Sequence, residues 1–238
     1  MDLTEIPIRG VLLDKDGTLF GFQETWAPWA ARLVRNLGQT DERTAALAAA
    51  IRFDLAAERF APDSPAVAGT IAEQVVILLP HLPEWTAEDL RDHLARTAGE
   101  VTPVPAADLP GLLSDLRGRG LMVGVATNDG ALPARRHLER AGIDALVDWM
   151  AGYDSGHGAK PQPGMFLAFA RETDLRPAEV VVVGDSLHDL VAAKAAGMRR
   201  IAVLTGTAGK AELGPHADAV LDTVADLPRW LDAQAGGC

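Results

Sequence analysis

Cysteine is nearly absent from this sequence: Cys238, at the end of the chain, is its single representative. A disulfide within the chain needs two cysteines, and a thiolate metal centre needs further ligands, so neither is expected. Basic residues are also scarce, with 22 lysines and arginines against 33 aspartates and glutamates and a net charge of −11. Proteins that bind nucleic acid or anionic membranes generally need a basic surface, so both classes are disfavoured. We expect Cys238 to be a terminal residue without a structural role.

Long apolar runs are missing as well. No stretch approaches the roughly 18 consecutive apolar residues of a membrane span, and the first ten residues, MDLTEIPIRG, lack the basic and apolar segments of a signal peptide. The chain has 238 residues, 48% hydrophobic and 23% charged, which suits one large globular domain or two modest ones. We therefore expect a soluble cytoplasmic protein that acts as a monomer or homodimer.

The sequence does contain an alternation of strand and helix patterns. Short apolar runs predict strands within residues 11–13, 121–129, 179–186, 199–206 and 218–222. Helical patterns lie between them, in residues 109–120, 131–142, 162–174 and 187–197. Strands that are apolar on both faces suit a parallel sheet covered by helices on both sides. The sequence therefore predicts an α/β fold with a doubly wound parallel sheet.

Residues 20–100 differ from this pattern. They show little strand-like alternation, and helical patterns fill residues 24–38, 41–60, 66–79 and 86–99. The proline-rich stretch VTPVPAADLP comes next, at residues 101–110. We therefore expect an all-helical module of residues 20–100, inserted into an α/β core formed by residues 1–19 and 101–238.

Polar clusters lie directly after the predicted strands, where ligands bind in sheets of this kind. The clusters are DKDGT (Asp14, Asp16), VATND (Thr127, Asn128), AKP (Lys160, ahead of a helix) and GDSLHD (Asp185, Asp189). Alternate side chains of an extended chain share a face, so both carboxylates of DKDGT can serve one site. Four acids beside one lysine repel each other unless a divalent cation lies among them, and oxygen ligands indicate Mg²⁺ rather than zinc.

In this order, DKDGT, VATND, AKP and VVVGDSLHD resemble the four signature motifs of the haloacid dehalogenase superfamily. The helical insertion resembles the type-1 cap of its phosphoglycolate-phosphatase-like members, so the resemblance covers nearly the whole chain. It implies a Rossmann-like core, a Mg²⁺ cofactor and the hydrolysis of a small phosphorylated metabolite, which would make the protein a phosphoric monoester hydrolase.

The resemblance also implies a role for each motif residue. Asp14 would be the nucleophile that forms an aspartyl-phosphate, and Asp16 would protonate the leaving group and then activate water. Lys160 would contact the substrate and neutralise the charge on the nucleophile and the phosphate. Asp14, the Asp16 carbonyl and Asp185 would hold Mg²⁺.

The remaining motif residues would act around this centre. Thr127 and the backbone of Asn128 would bind the phosphoryl oxygens. Asp189 would support the metal or orient Lys160, and Thr18 would have a supporting role. Lys15 is expected to point to the other face of the strand.

Finer assignments depend on Asp16 and on the residues immediately after DGTL. Dehalogenases of the superfamily do not need an acid at the position of Asp16, and phosphonatases lack it, so Asp16 favours phosphate esters. Phosphoglycolate phosphatases typically continue with Asp-Ser after DGTL, whereas this chain continues with Phe20, Gly21 and Phe22. The Thr-Asp and later His of the sugar phosphomutases are also absent. A sugar phosphomutase and a catalytically idle binder of phosphate ligands remain the alternatives.

The insertion offers weaker candidates. Trp26 and Trp29 lie three residues apart on a helical pattern, and we expect them to pack in the core or cap rather than to contact substrate. Residues 51–65 form the candidate loop that reaches into the cleft, where Arg52, Arg59 and Asp63 would recognise the leaving group; ordinary surface salt pairs are the competing interpretation. His188, inside the last motif, is expected to have no required role.

Overall fold

Strands and helices alternate along residues 6–235, the part of the chain that the computed structural model describes; Cys238 lies outside it. The strands are β1 (Gly10–Leu13), β2 (Phe53–Asp54), β3 (Arg59–Phe60), β4 (Met122–Ala126), β5 (Trp149–Ala151), β6 (Val180–Gly184), β7 (Arg199–Val203) and β8 (Ala219–Leu221). The α-helices are α1 (Phe22–Gly38), α2 (Asp41–Ala50), α3 (Ile71–Leu78), α4 (Ala87–Gly99), α5 (Leu109–Gly118), α6 (Ala131–Arg140), α7 (Gly164–Glu172), α8 (Leu187–Ala196), α9 (Lys210–Leu213) and α10 (Leu227–Ala235).

Six of the strands form one parallel sheet in the order β5-β4-β1-β6-β7-β8. After β1, the chain forms β4 and β5 on one side of that strand and then crosses over to form β6, β7 and β8 on the other side. The strand order therefore reverses beside β1, which is where ligands bind in doubly wound sheets. This topology confirms the predicted α/β fold class.

Both faces of the sheet are covered, as the continuous apolar strands predict. Val11 and Leu13 of β1 pack in a cluster with side chains of α5, α6 and α10. Leu12, which points the other way, packs with side chains of α7 and α8. A period of two along β1 thus divides its side chains between two buried layers, and the strand ends are left as the accessible edge of the sheet.

The insertion has a hydrophobic core of its own, built from α1 to α4 and the hairpin β2–β3. Two linker segments that run side by side join it to the sheet: the N–H of Gly21 donates to the carbonyl of Val104, and the N–H of Ala106 to the carbonyl of Leu19. The chain thus leaves and re-enters the sheet region beside the end of β1, so the insertion lies over the strand ends.

Two elements differ from the sequence prediction. The helix predicted for residues 41–60 ends at Ala50 and gives way to the hairpin β2–β3, so the insertion is helical except for this short hairpin. The Asp54 carboxylate accepts the N–H groups of Ala56 and Ala57 and fixes the turn, while the rings of Phe53 and Phe60 pack 4.9 Å apart. The edge strand β5 was not predicted, because its three residues are too short and too exposed to give an apolar run.

None of the helices within residues 6–235 is both long and apolar enough to cross a lipid bilayer.

Candidate active site

The end of β1 supplies two acidic side chains, Asp14 and Asp16, and both line one cavity between the sheet and the insertion. Asp14 is buried, and its Oδ1 accepts a hydrogen bond of 2.5 Å from Nζ of Lys160. Gly17 turns the chain with a φ of 88°, and a Cβ atom there would lie 2.2 Å from Oδ2 of Asp185. Only glycine therefore allows the exit from β1 to approach the Asp185 carboxylate this closely.

Lys160, from the loop that precedes α7, lies at the centre of the charged groups. Its Nζ donates to Oδ1 of Asp14, to Oδ1 of Asp189 at 2.7 Å and to the carbonyl of Ala126 at 3.1 Å. Burial opposes its positive charge, but the two carboxylates outweigh burial and raise the pKa of Lys160. The ammonium group is therefore held protonated beside Asp14.

Thr127 and Asn128 come directly after β4, the neighbour of β1, and both line the cavity. The N–H of Thr127 donates to the carbonyl of Ala151 at 3.0 Å. The Asn128 amide donates to the carbonyl of Ala68 in the insertion at 2.9 Å and to that of Lys160 at 3.0 Å, and its Oδ1 accepts the N–H of Lys160 at 2.8 Å. The Asn128 side chain is thus used to fix the lysine loop and to join core and insertion.

Three buried carboxylates form a candidate metal centre. Asp14, Asp185 and Asp189 each offer an oxygen, and these atoms lie within 4.8 Å of one another. Burial, with the charges of Asp14 and Asp189, raises the pKa of Asp185 well above its ordinary value. Burial, assisted by Asp189 and opposed by Lys160, raises the pKa of Asp14 to about 7. An all-oxygen donor set that one lysine does not neutralise fits a hard divalent cation such as Mg²⁺.

Asp189 and Thr18 were both predicted to support the site, but only Asp189 contacts its charged groups. Both Asp189 oxygens accept bonds: Oδ1 from Lys160, and Oδ2 from the hydroxyl of Ser186 at 2.6 Å. This geometry suits a residue that orients Lys160 better than one that ligates a metal. Thr18 is fully buried, does not line the cavity, and its hydroxyl has no hydrogen-bond partner among residues 6–235.

The side chain of Lys15 is part of the site, contrary to the expectation that it points away from it. Lys15 is fully buried, and its Nζ lies 2.6 Å from Oδ2 of Asp16 and 3.2 Å from Oδ2 of Asp129. Oδ1 of Asp16 accepts a 2.8 Å hydrogen bond from the Trp26 indole of α1. Burial acts to raise the pKa of Asp16, but Lys15, with Trp26 assisting, lowers it. Asp16 is therefore a carboxylate fixed at both oxygens.

His137 completes this buried network behind Asp16. Burial, assisted by the charge of Lys15, lowers the pKa of His137 to about 4, so the ring is neutral at pH 7. Its Nδ1 accepts from Lys15 at 3.1 Å, and its Nε2–H donates to the carbonyl of Ala98 in the insertion at 3.0 Å. The signal for this cluster was Lys15 itself, because a lysine at the end of a strand covered on both faces requires buried partners.

The residues proposed to recognise the leaving group do not reach the cavity. Arg52 and Asp63 form an exposed ion pair of 2.7 Å, with more than half of each side chain accessible. Arg59 is exposed as well, and none of the three lines the cavity. From residues 51–65 only Phe60 does. The charged residues of this segment form a solvated surface, as the competing interpretation held.

Three aromatic residues near the motifs do line the cavity. Trp26 is packed as expected, but its indole also contacts Asp16. Trp29 packs edge-on against Trp26 and donates to the Thr97 hydroxyl at 3.2 Å. His188, which was given no role, lines the cavity with its Nδ1 3.3 Å from a backbone carbonyl of the insertion.

Fold and site together define a class: α/β proteins with a charged centre at the carboxyl edge of a parallel sheet, covered by an inserted, mainly helical cap. Residues 8–197 match the model of the haloacid dehalogenase-like hydrolases, and the chain belongs to that family.

Curated relatives and solved structures agree with this assignment. The chain is similar to phosphoglycolate phosphatase of Rhodospirillum rubrum, with 35% identity over 152 residues; the match covers 60% of this chain and 63% of that protein, less than two thirds of its length. It is 29% identical over 238 residues to the plasmid phosphoglycolate phosphatase of Cupriavidus necator, covering 97% and 96% of the two chains. A predicted phosphoglycolate phosphatase from Haemophilus somnus 129pt, 21% identical, has the same fold with a TM-score of 0.70 over 94% of this chain and 97% of that one.

Proposed function

We propose that this protein is a Mg²⁺-dependent phosphatase that hydrolyses small phosphorylated metabolites through an aspartyl-phosphate intermediate. The observation that carries the proposal is the position of Asp14, a buried carboxylate at the end of the central strand, paired with Lys160 and within reach of two further acids. The names of the curated relatives support the same class of reaction.

In the first step, Asp14 attacks the phosphorus atom and the bond to the leaving oxygen breaks. Asp16, a carboxylate in the free site, takes up a proton from the bound phosphate monoanion and gives it to that oxygen, so an alcohol departs. Lys160, already bound to Asp14, offsets the charge of the incoming phosphate. The Thr127 hydroxyl and the backbone N–H of Asn128 lie at the same strand end and would hold the phosphoryl oxygens.

In the second step, a water molecule attacks the phosphorus of the aspartyl-phosphate. Asp16, now a carboxylate, takes the proton of this water. The bond between phosphorus and Asp14 breaks, Asp16 passes its proton to the departing inorganic phosphate, and both carboxylates return to their starting states. Lys15 and Trp26 hold Asp16 in place for both transfers.

Asp14 and Asp185, with the carbonyl oxygen of Asp16, would hold the Mg²⁺ ion. When bound, the ion neutralises charge on the phosphoryl group and aligns that group with the nucleophile. Asp189 acts one step away from it by orienting Lys160, because both of its oxygens are already bonded.

We also propose a division into two domains, with residues 1–19 and 101–238 as the catalytic core and residues 20–100 as the cap. The separate hydrophobic cluster of the insertion and the paired linkers at Gly21 and Val104 support this division. Closure of such a cap over the strand ends excludes water from the first step.

The test is phosphate release from a broad panel of phosphorylated metabolites, with Mg²⁺ and with a chelator. The wild type is compared with Asp14→Asn and with Asp63→Asn, a matched loss of one exposed carboxylate in the cap. We expect metal-dependent release from the wild type and from Asp63→Asn, and none from Asp14→Asn.

Other outcomes would replace the proposal. Isomerised sugar phosphate with little free phosphate would identify a phosphomutase. Binding of phosphate compounds without any turnover would identify an idle binder. Release that persists in Asp14→Asn would exclude the aspartyl-phosphate route.

A further inference from the structure

The wall of the cavity that faces the charged strand ends is apolar. The cavity measures about 730 Å³ when the space open to solvent is counted. Its large side chains on the cap side are Phe22, Trp26, Trp29, Phe60, Val67 and Ile71. A phosphate held at Asp14 would place the organic part of the substrate against these rings and branched side chains.

Within residues 20–100, all of which the structure describes, no lysine or arginine lines this wall. The segment contains seven arginines and no lysine, and none of these arginines lines the cavity. Five of the seven form ion pairs elsewhere in the cap: Arg35–Glu58, Arg43–Glu84, Arg52–Asp63, Arg91–Asp92 and Arg96–Glu100. The cap thus provides no counter-charge for a second anionic group on a substrate.

The polar groups at this wall are few and mostly occupied. The indole N–H of Trp26 is bonded to Asp16, and that of Trp29 to Thr97. Gln74 of α3 is the half-buried polar side chain that the cap contributes to the lining. A neutral amide can bond a hydroxyl or ether oxygen but does not offset the cost of burying a carboxylate.

The core side of the cavity also disfavours a substrate with a second negative charge. Its lining includes four aspartates, Asp14, Asp16, Asp129 and Asp185, and Lys160, the one lysine among the described lining residues, is committed to Asp14. A substrate with a second negative charge would meet acids on one side and aromatic rings on the other. Charge and desolvation therefore both act against it.

We propose that this protein acts on phosphate monoesters whose alcohol part is uncharged and predominantly apolar, aromatic or branched aliphatic. The inference rests on the proposed phosphatase function and narrows it. It separates this chain from an enzyme built for phosphoglycolate, whose leaving group carries a carboxylate, although relatives bear that name.

The first test compares matched esters that differ by one charge: benzyl phosphate against 4-carboxybenzyl phosphate, and propyl phosphate against phosphoglycolate. The protein is the wild type with Mg²⁺, and the readout is kcat/KM from phosphate release. We expect kcat/KM for the neutral member of each pair to be higher by about 100-fold or more. The reason is that burying an unpaired charge costs more free energy than losing the contacts of one methylene group.

The outcomes separate the inference from the function on which it rests. Equal or faster hydrolysis of the carboxylate esters would overturn the inference and leave a phosphatase. Absence of phosphate release from these esters and from the metabolite panel alike would overturn the proposed function, and the inference with it.

A second test adds the missing cation. Gln74→Lys places an ammonium group at the apolar wall, and we expect it to raise the relative kcat/KM for 4-carboxybenzyl phosphate by about 10-fold, the scale of one charge-assisted hydrogen bond. The control is Val76→Lys on the same helix, at a residue that is 72% exposed and outside this cavity. An unchanged ratio in a folded Gln74→Lys would mean that the leaving group lies elsewhere and would overturn the inference; if this variant does not fold, the wild-type ester comparison decides.

Discussion

The core end and the cap end of the cavity are built in different ways. At the core end, short hydrogen bonds from Lys160 join Asp14 and Asp189. At the cap end, rings and aliphatic side chains meet with few polar groups between them. On the proposed function, the core end carries out the reaction, and the cap end selects substrates by their shape and by the absence of a second charge.

The two ends of the cavity also differ in how much amino-acid substitution they are expected to tolerate. Buried charges tolerate little change, because removing one partner leaves the other uncompensated. Apolar walls tolerate substitution if volume and polarity are kept. Substitutions at the core end are therefore expected to abolish turnover, and substitutions at the cap end to change which ester is turned over. We expect the effects of substitution on activity and stability to decrease from Lys160, at the core end, to the exposed arginines Arg52 and Arg59 of the cap.

Lys160→Met tests the core end most severely. It removes the cation that pairs with Asp14 and Asp189 inside the protein, so we expect kcat to fall by about 10³-fold and the free energy of unfolding by roughly 3 kcal/mol. Initial rates of phosphate release and urea denaturation measure the two effects. Lys194→Met, at an exposed lysine on α8, is the control and should change neither. A variant with near-normal kcat would show that catalysis does not need Lys160.

Asp185→Asn tests the metal centre and its pH dependence. Without metal, the raised pKa of Asp14, about 7, means that the folded state binds a proton that the unfolded state releases above pH 4, so this contribution to stability is lost as pH rises through 7. Mg²⁺ competes with these protons, so its stabilising effect should be largest above pH 7 and shrink at pH 6.

The measurement is the shift of Tm on adding Mg²⁺ at pH 8 and at pH 6. Saturation at about 100 times Kd corresponds to about 2.7 kcal/mol of stabilisation. We expect the shift in the wild type and its loss in Asp185→Asn. An equal shift in both proteins would place the ion away from Asp185.

Trp26→Phe tests the point where the two ends meet. The substitution keeps the apolar wall but deletes the indole N–H that holds Asp16. A hydrogen bond to a charged group contributes about 1.5–3 kcal/mol, so kcat should fall by about 10-fold or more while the preference for neutral esters stays. Trp29→Phe is the matched control, because its N–H bonds to Thr97 of the cap instead. Equal losses of kcat in both variants would indicate a packing effect rather than the positioning of Asp16.

Arg52→Ala and Arg59→Ala are expected to have the smallest effects. Both side chains are exposed and lie outside the cavity, and Arg52 makes only a surface ion pair. The free energy of unfolding should change by no more than about 0.5 kcal/mol, and the ranking of substrates should stay as it is. A reordered ranking in either variant would return the hairpin to the substrate-binding surface.

The core end could largely be predicted from the sequence, because its information is local. Asp14, Thr127 and Asp185 each come directly after an apolar strand, and in a parallel sheet the ends of neighbouring strands meet at one edge. The structure brings them together beside β1, β4 and β6, which are adjacent in the sheet. Strand periodicity and the position of each motif were sufficient for this placement, while the catalytic roles stay predictions.

The orientation of Lys15 could not be predicted by the same rule. The N–H groups of Leu19 and Phe20 both donate to the carbonyl of Lys15 at 3.0 Å, so the chain turns tightly just after β1 and strict alternation ends there. The lysine then reaches Asp129 and His137, which are more than 110 residues away in the chain. No local pattern specifies partners at that separation.

The cap end was harder to predict for a related reason. The charge of Arg59 made it a candidate for substrate recognition in the sequence, but its side chain is exposed to solvent. The next residue, Phe60, is the one that is buried. That choice is made by the ring contacts of Phe60 with Phe22 and Phe53, which depend on how α1 and the hairpin pack. The proposed specificity therefore depends on tertiary packing, whereas the proposed chemistry depends on motifs at strand ends.

The measurement that tests the aspartyl-phosphate mechanism most directly is mass spectrometry of the enzyme quenched in acid during turnover of a good ester with Mg²⁺. We predict a protein heavier by one phosphoryl group, with the modification on the peptide that contains Asp14 and absent from Asp14→Asn. Rapid turnover with an unmodified protein at every quench time, or a phosphoryl group on another residue, would contradict this mechanism.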